Sequence, residues 1–158
     1  MHNIALITGA TSGIGLATAR KFAQNNYDLI ITGRRKERLD SLKKELQETN
    51  DIRVLALCFD VRSREEVIKN LGSLDREWQD IDILVNNAGL AAGLNHIDEG
   101  DNDDWERMID TNIKGLLYVS RQVSPGMVKR GKGHILNIGS IAGKEVYERE
   151  LRGGDYAG

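Results

Sequence analysis

The chain has 158 residues, a formal net charge of -2 at neutral pH, 40% apolar residues and 29% charged ones, a balance ordinary for one soluble globular domain with its own core. Nothing in that balance suggests nucleic acid or an anionic membrane surface as a partner, and no apolar run approaches the length that spans a bilayer. The single cysteine, Cys58, excludes an internal disulfide and fits a reducing compartment, and Met1 leads straight into a strand pattern with no signal-peptide character, so a cytoplasmic location is expected.

Short apolar runs alternate with longer amphipathic stretches. Ile4 to Ile7 reads as a buried strand, residues 13 to about 25 as a helix, and Asp28 to Thr32 as the next strand. Residues 36 to 48 place Leu39, Leu42 and Leu46 on one helical stripe among charged residues. Arg53 to Leu57 is a third strand, and Val67, Leu71, Leu74 and Trp78 mark another helical face. Ile81 to Val85 is a fourth strand. A long helical pattern through Trp105, Met108, Ile109, Ile113, Leu116 and Leu117 runs towards Arg130, as one helix or two in succession. His134 to Ile138 is a fifth strand. Near-continuous apolar strands separated by helices predict a parallel sheet covered on both faces, an α/β, doubly wound, Rossmann-like fold.

The first chemical signal is Thr8-Gly9-Ala10-Thr11-Ser12-Gly13-Ile14-Gly15, between the first strand and the first helix. Glycines allow the tight turn and the close approach of backbone to a pyrophosphate, and the helix start offers free N–H groups and the positive dipole end. The strand-turn-helix context separates it from an idle Gly-rich turn, and it lacks the Gly-Lys-Ser/Thr ending of a P-loop. The second signal is Gly33-Arg34-Arg35 after the second strand. An NAD site keeps an acidic residue there for the ribose 2′-hydroxyl; two guanidinium forks suit a 2′-phosphate instead, hence NADP. The competing reading is a solvated helix start, since Lys36, Glu37 and Arg38 continue the charged run. Asp60-Val61 and Asn86-Asn87-Ala88-Gly89 follow the third and fourth strands, at the carboxyl ends where such sheets bind ligands.

The glycine motif, Asn86-Asn87-Ala88-Gly89, Asn112 within Asp110-Thr111-Asn112-Ile113-Lys114-Gly115, and Asn137-Ile138-Gly139-Ser140 together resemble the short-chain dehydrogenase/reductase family, in order and spacing, from residue 3 to about 147. Gly33 to Leu39, Asp60-Val61-Arg62, Ile81 to Leu90 and Asp104 to Asp110 resemble more closely its NADP-dependent 3-hydroxy acid dehydrogenases, which include serine and allo-threonine dehydrogenases and malonic semialdehyde reductases. The resemblance implies an enzyme moving hydride between NADP(H) and a small 3-hydroxy acid, or 3-hydroxy amino acid, and its carbonyl product. By similarity Gly9, Ala10, Thr11, Ser12, Gly13, Ile14 and Gly15 form the pyrophosphate turn, and Arg34 and Arg35 hold the 2′-phosphate. Asp60 and Val61 flank the adenine, and Asn87 and Gly89 lie beside the nicotinamide-side ribose. Ser140 is the serine that hydrogen-bonds the substrate oxygen, and Asn112 the asparagine that anchors a proton-relay water. Complete family members are homo-oligomers, commonly tetramers.

The family's acid/base is a tyrosine followed four residues later by a lysine that lowers its pKa. It lies about thirteen residues after the serine, which here reaches Gly153; the nearest candidate is Tyr156, and no lysine can follow it before Gly158. The expected organisation is therefore an NADP-binding domain over 1–147, truncated after the fifth strand, and a divergent tail over 148–158. The alternative function is a catalytically incomplete NADP-binding fragment. The remaining features read as structure: the acidic run 98–104 as a loop and helix cap, without EF-hand spacing; Cys58 as a small core residue; Trp78 and Trp105 as packing; and His2, His96 and His134 as side chains without metal-ligand spacing, so that no metal is expected.

Overall fold

The computed structural model describes residues 2–93, 95 and 98–141. In chain order they form β1 (Ile4–Ile7), α1 (Gly13–Gln24), β2 (Asp28–Gly33), α2 (Lys36–Thr49), β3 (Val54–Cys58), α3 (Arg64–Gly72), a single 3-10 turn (Arg76–Trp78), β4 (Ile81–Asn86), α4 (Asn102–Ile109), a π-helical turn (Asp110–Gly115), α5 (Leu116–Arg130) and β5 (His134–Asn137). The strands pair in parallel throughout, in the order β3-β2-β1-β4-β5. This is the doubly wound α/β sheet expected.

Alternation along β1 divides the core into two halves. Ile4 and Leu6 point to one face, where they meet Leu84 and the buried stripe of α3 and α5: Val67, Leu71, Val119, Val123 and Met127. Ala5 and Ile7 point to the other, against Ala19 and Ala23 of α1 and Leu39, Leu42 and Leu46 of α2. Both faces of the central strands are covered, which is why they read as unbroken apolar runs rather than alternating ones. The helix starts follow capping chemistry. Ser63 Oγ accepts from Glu66 N at 3.2 Å at the head of α3, with Glu65 and Glu66 on the positive dipole end. Asp101, in the acidic run, does the same for α4, its Oδ1 accepting from Asp103 N at 2.8 Å.

Two expectations are corrected and one alternative is decided. The face Val67, Leu71, Leu74 and Trp78 is buried but belongs to no single helix: α3 stops at Gly72, and Trp78 sits in the 3-10 turn, where Trp78 N donates to Asp75 O at 2.8 Å. Helical spacing of buried residues persists across the break, so periodicity alone could not reveal it. The stretch from Trp105 to Arg130, read as one helix or two in succession, is two α-helices joined by the π-helical turn. The wider turn changes the phase of the helix surface. Ile109, Ile113 and Leu117, part of the apolar helical pattern, are exposed, and the buried stripe of α5 begins at Val119. Finally, Cys58 is exposed rather than in the core, with its Sγ donating to Arg34 O at 3.6 Å. It is the last residue of β3 and belongs to the ligand-binding end of the sheet.

At the opposite end, a buried carboxylate ties the strand entries together. Asp28 Oδ1 accepts from Arg53 N at 2.8 Å, and Oδ2 accepts from Arg53 Nε and Nη2 at 2.9 and 2.7 Å. The same guanidinium reaches Glu77 at 2.7 Å and lies 4.9 Å above the Trp78 ring. Asp28→Ala orphans the Arg53 amide and breaks the fork. It is expected to lower the unfolding free energy by about 2–4 kcal/mol, seen as a lower urea midpoint at unchanged denaturant slope, with nucleotide binding by the folded protein unaltered.

Candidate cofactor site

Sheet order reverses between β1 and β4, because the chain winds outward from β1 through β2 and β3 and then returns to start again at β4. Loops leaving two such neighbours diverge to opposite faces and open a crevice at the carboxyl ends of the strands. Here that crevice is a cleft of about 1170 Å³. It gathers the glycine turn (Gly9, Thr11, Ser12, Gly13, Ile14), both arginines (Arg34, Arg35), the β3 end (Asp60, Val61), the β4 end (Asn87, Gly89), and Asn112 and Ser140. Ala10 and Gly15, expected among the cofactor residues, stand behind that surface. Ala10 is buried, its N–H donating to Thr32 O at 3.0 Å. Gly15 is packed so closely that an added Cβ would lie 2.3 Å from both Asn87 Nδ2 and Gly9 O.

The glycine turn is held by a residue whose importance its sequence position did not reveal. The Thr8 side chain is buried; its Oγ1 accepts from Asn87 N and Ala88 N, both at 3.0 Å, and donates to Val85 O at 3.4 Å. The end of β1 is thereby bolted to the loop after β4. Asn87 completes the bolt, its Nδ2 donating to Thr8 O at 3.0 Å and Gly9 O at 3.1 Å. The Asn87 Nδ2 group is thus committed to the glycine turn. Gly9 adopts φ +66°, and a Cβ there would lie 2.9 Å from Ala88 Cα, so both backbone conformation and space require glycine. A Cβ on Gly13, by contrast, would meet nothing within 4 Å: that backbone faces the open cleft. α1 begins here with Ser12 at its cap making no side-chain cap bond and no acidic residue in its first turn. The geometry is that of an anion-binding helix start.

Charge around the cleft is arranged by position. Arg35 Nη2 donates to Thr11 Oγ1 at 3.1 Å and to Ser12 Oγ at 3.5 Å, which lays a guanidinium along the glycine turn. Asp60 is gripped by Arg62: Arg62 N and Nε donate to Oδ1 at 3.0 and 3.1 Å, and Nε and Nη2 to Oδ2 at 3.0 and 2.7 Å. Burial pushes the Asp60 carboxyl up, but the Arg62 side-chain and backbone hydrogen bonds, the Arg62 charge and the more distant Arg34 outweigh it and hold it below the usual carboxylate range.

The π-helical turn projects Asn112 into the cleft. Asn112 Oδ1 accepts from Leu90 N and its Nδ2 donates to Leu90 O, both at 2.8 Å. Its side chain is a two-point clamp on the loop after β4, an arrangement no sequence spacing announces. Behind it, Asn86 Nδ2 donates to Ser120 Oγ at 3.0 Å and Asn137 Oδ1 at 2.9 Å, joining β4, α5 and β5. Ser140 follows β5 on the cleft wall. Tyr156 and the tail 148–158 lie outside the described residues. Among the described residues no cluster of His, Cys, Asp or Glu is arranged to hold a metal, and no helix is long and apolar enough to cross a membrane.

A family profile described as short chain dehydrogenase matches residues 3–151. The chain belongs to the short chain dehydrogenase family. It is 53% identical over 144 residues to the NADP-dependent 3-hydroxy acid dehydrogenase YdfG of Salmonella typhi, covering 91% of this chain and 56% of that protein. Its YdfG counterpart in Escherichia coli K12 is 52% identical over the same length. Among solved structures, serine dehydrogenase from Escherichia coli superposes with a TM-score of 0.83 at 51% identity, covering 91% of this chain and 65% of that one. The closed form of serine dehydrogenase complexed with NADP+ gives the same TM-score and identity, with 56% of its chain covered. The chain therefore spans little more than half the length of the curated dehydrogenases it matches.

Thr8→Val keeps the shape of the bolt but leaves the Asn87 and Ala88 amides without their acceptor. It is expected to destabilise the protein by about 2–4 kcal/mol, whereas Thr8→Ser, which retains the oxygen, stays within about 1 kcal/mol of wild type; paired urea titrations of the two variants make the comparison. Asp60 supplies a pH signature. Its folded pKa is depressed, so its contribution to stability is complete above the unfolded value of about 4 and is lost as pH falls through the lower folded value. Arg62→Gln should remove that acid-limb contribution, leaving a smaller stability difference from wild type at pH 3 than at pH 7 in pH-resolved thermal melts.

Proposed function

We propose that this chain is the cofactor-binding part of an NADP(H)-dependent oxidoreductase acting on a small 3-hydroxy acid or 3-hydroxy amino acid and the corresponding carbonyl compound. The observation that carries the reading is the placement of Arg34 and Arg35 at the end of β2, in one cleft with an uncapped helix start and with Ser140. The residues fit the dinucleotide. Gly13 presents open backbone, the α1 amides would meet a pyrophosphate, and the two guanidinium groups would take a 2′-phosphate in fork geometry. Asp60 and Val61 would border the adenine. Gly89 and the loop clamped by Asn112 would border the nicotinamide end. When bound, the nicotinamide supplies or accepts hydride.

The chain's own residues then divide the remaining work. Ser140 would donate a hydrogen bond to the substrate oxygen, most strongly as negative charge develops there. Asn112 would fix the loop beside the reacting ring, with the π-helical turn providing the local backbone for a water relay. Substrate class follows from similarity to the 3-hydroxy acid and serine dehydrogenases, at 53% and 51% identity. A cytoplasmic location and the homo-oligomeric habit of complete relatives belong to the same reading.

A second reading rests on one feature of the sequence. Tyr27, Tyr118 and Tyr147 are followed four residues later by Ile31, Gln122 and Leu151 rather than by lysine. On that reading the chain binds NADP(H) without completing the proton transfer. Calorimetric titration with NADPH and NADH separates the possibilities. Both readings require NADPH to bind more tightly, and Arg34→Ala/Arg35→Ala to erase the preference by weakening NADPH roughly 10- to 100-fold while changing NADH little. Equal affinity for the two nucleotides in wild type would remove the arginine assignment. Turnover of serine or 3-hydroxypropionate with NADP by the purified chain decides for the first reading, and tight NADPH binding without turnover for the second.

A further inference from the structure

β2 and β3 are paired through their last residues, Gly33 beside Cys58. Phe59 N donates to Gly33 O at 3.1 Å, and Cys58 Sγ reaches Arg34 O. The proposed 2′-phosphate site and the Asp60 carboxylate are therefore neighbours across two strand ends. Such an arrangement carries a built-in conflict. A bare carboxylate beside the site would repel a dianionic phosphate and draw Arg34 towards itself.

We propose that Arg62 resolves this conflict and is a specificity-determining positioning residue: by covering both oxygens of Asp60 with its guanidinium, it permits the cleft to prefer a 2′-phosphorylated nucleotide. The inference rests on the assignment of Arg34 and Arg35 to the 2′-phosphate. Asp60 lines the cleft, while Arg62 stands behind it, folded back over two residues so that its backbone N–H, Nε and Nη2 all serve one carboxylate. The Asp60 side chain is 23% exposed and that of Arg62 34%, so the pair is partly withdrawn from solvent and less screened than an open surface pair. Other charges around the pair do not substitute for Arg62. Glu66 Oε2 accepts from Asp60 N at 2.9 Å and adds negative charge. Asp110, which also acts on the Arg62 charge, is paired with Lys114 at 2.7 Å. Among the groups named, only Arg34 could cover Asp60, and doing so would withdraw it from the phosphate.

The planar fork also makes Arg62 different from a lysine, which supplies a point charge without bidentate geometry. Charge should account for most of the effect and geometry for the rest.

The test is calorimetric titration of the full chain with NADPH and with NADH, for wild type, Arg62→Gln, Arg62→Lys, Asp60→Asn and the double variant Asp60→Asn/Arg62→Gln. Arg62→Gln should weaken NADPH roughly five- to tenfold and NADH less than about twofold. Arg62→Lys should keep the NADPH/NADH affinity ratio within about threefold of wild type. The double variant should return the ratio to that of Asp60→Asn alone, because no uncovered carboxylate remains, even where both nucleotides bind less tightly. Equal weakening of both nucleotides by Arg62→Gln, an unchanged ratio, or a double variant as impaired as Arg62→Gln would each overturn the proposal. If Arg62→Gln does not fold, the Arg62→Lys ratio decides, and a loss above threefold counts against charge compensation. A wild-type chain with no preference for NADPH would instead overturn the underlying 2′-phosphate assignment, an outcome visible before any variant is compared.

Discussion

The parallel pairing of β1 with β4 is locked where both strands end: the buried Thr8 hydroxyl accepts from two successive amides of the loop that leaves β4. Two loops that diverge from neighbouring strands have no ladder to hold them, and without a fastener the crevice between them would have no fixed width. Thr8 and the Asn87 amide supply that fastener with four hydrogen bonds crossing from one loop to the other. Gly9 and Gly15 can then pack without a Cβ, and α1 starts at a defined height above the sheet. The cleft is a consequence of topology, but its shape is a consequence of that local bonding.

A second layer of constraint keeps the remaining walls in register. Asn112 grips the Leu90 backbone from the π-helical turn, and Asn86 links β4 to Ser120 of α5 and Asn137 of β5. The Asn86 side chain is buried and that of Asn112 exposed, and each directs its hydrogen bonds in few orientations, which apolar packing could not specify. The π-helical turn lengthens the path between α4 and α5 at the point where Asn112 must reach the loop. It also leaves Ile109, Ile113 and Leu117 on the outside. β5, at the edge of the described sheet, exposes Ile135 and Leu136, which point to opposite faces.

Electrostatics in the cleft follows a simple rule: cations are left available and anions are covered. Arg35 is braced by hydroxyls rather than by a carboxylate, so its charge remains for a ligand. Asp60, the carboxylate that lines the cleft, is held by a dedicated guanidinium. At the other end of the sheet Asp28 holds Arg53 in a fork, and the same guanidinium reaches on to Glu77. The same residue types thus do different work according to which end of the strands they occupy.

Much of this was legible in the amino-acid sequence. The five strands, their parallel order of burial, the glycine turn, the paired arginines, Asp60, Asn112 and Ser140 all follow from apolar periodicity and from motifs whose spacing is local or carried by the family resemblance. Local signals also identified the cap of α4, within the acidic run 98–104. What the sequence could not determine were contacts between residues far apart in the chain or changes of helical phase. Thr8 looks like any strand-end threonine until the loop 79 positions later arrives on it. The hold of the Asn87 side chain on Gly9 has no sequence signal, and Cys58 reads as core until β3 is found to end at the rim of the cleft. The break after Gly72 leaves the spacing of buried residues helical, so only backbone hydrogen bonding reveals it, and the phase change at the π-helical turn shows only in which apolar residues are exposed. Sequence determined which surfaces must be buried and which chemistry was present; tertiary structure decided which polar groups were spent on holding the cleft open and which were left for a ligand, because a hydrogen bond belongs to whichever partner the fold brings within reach.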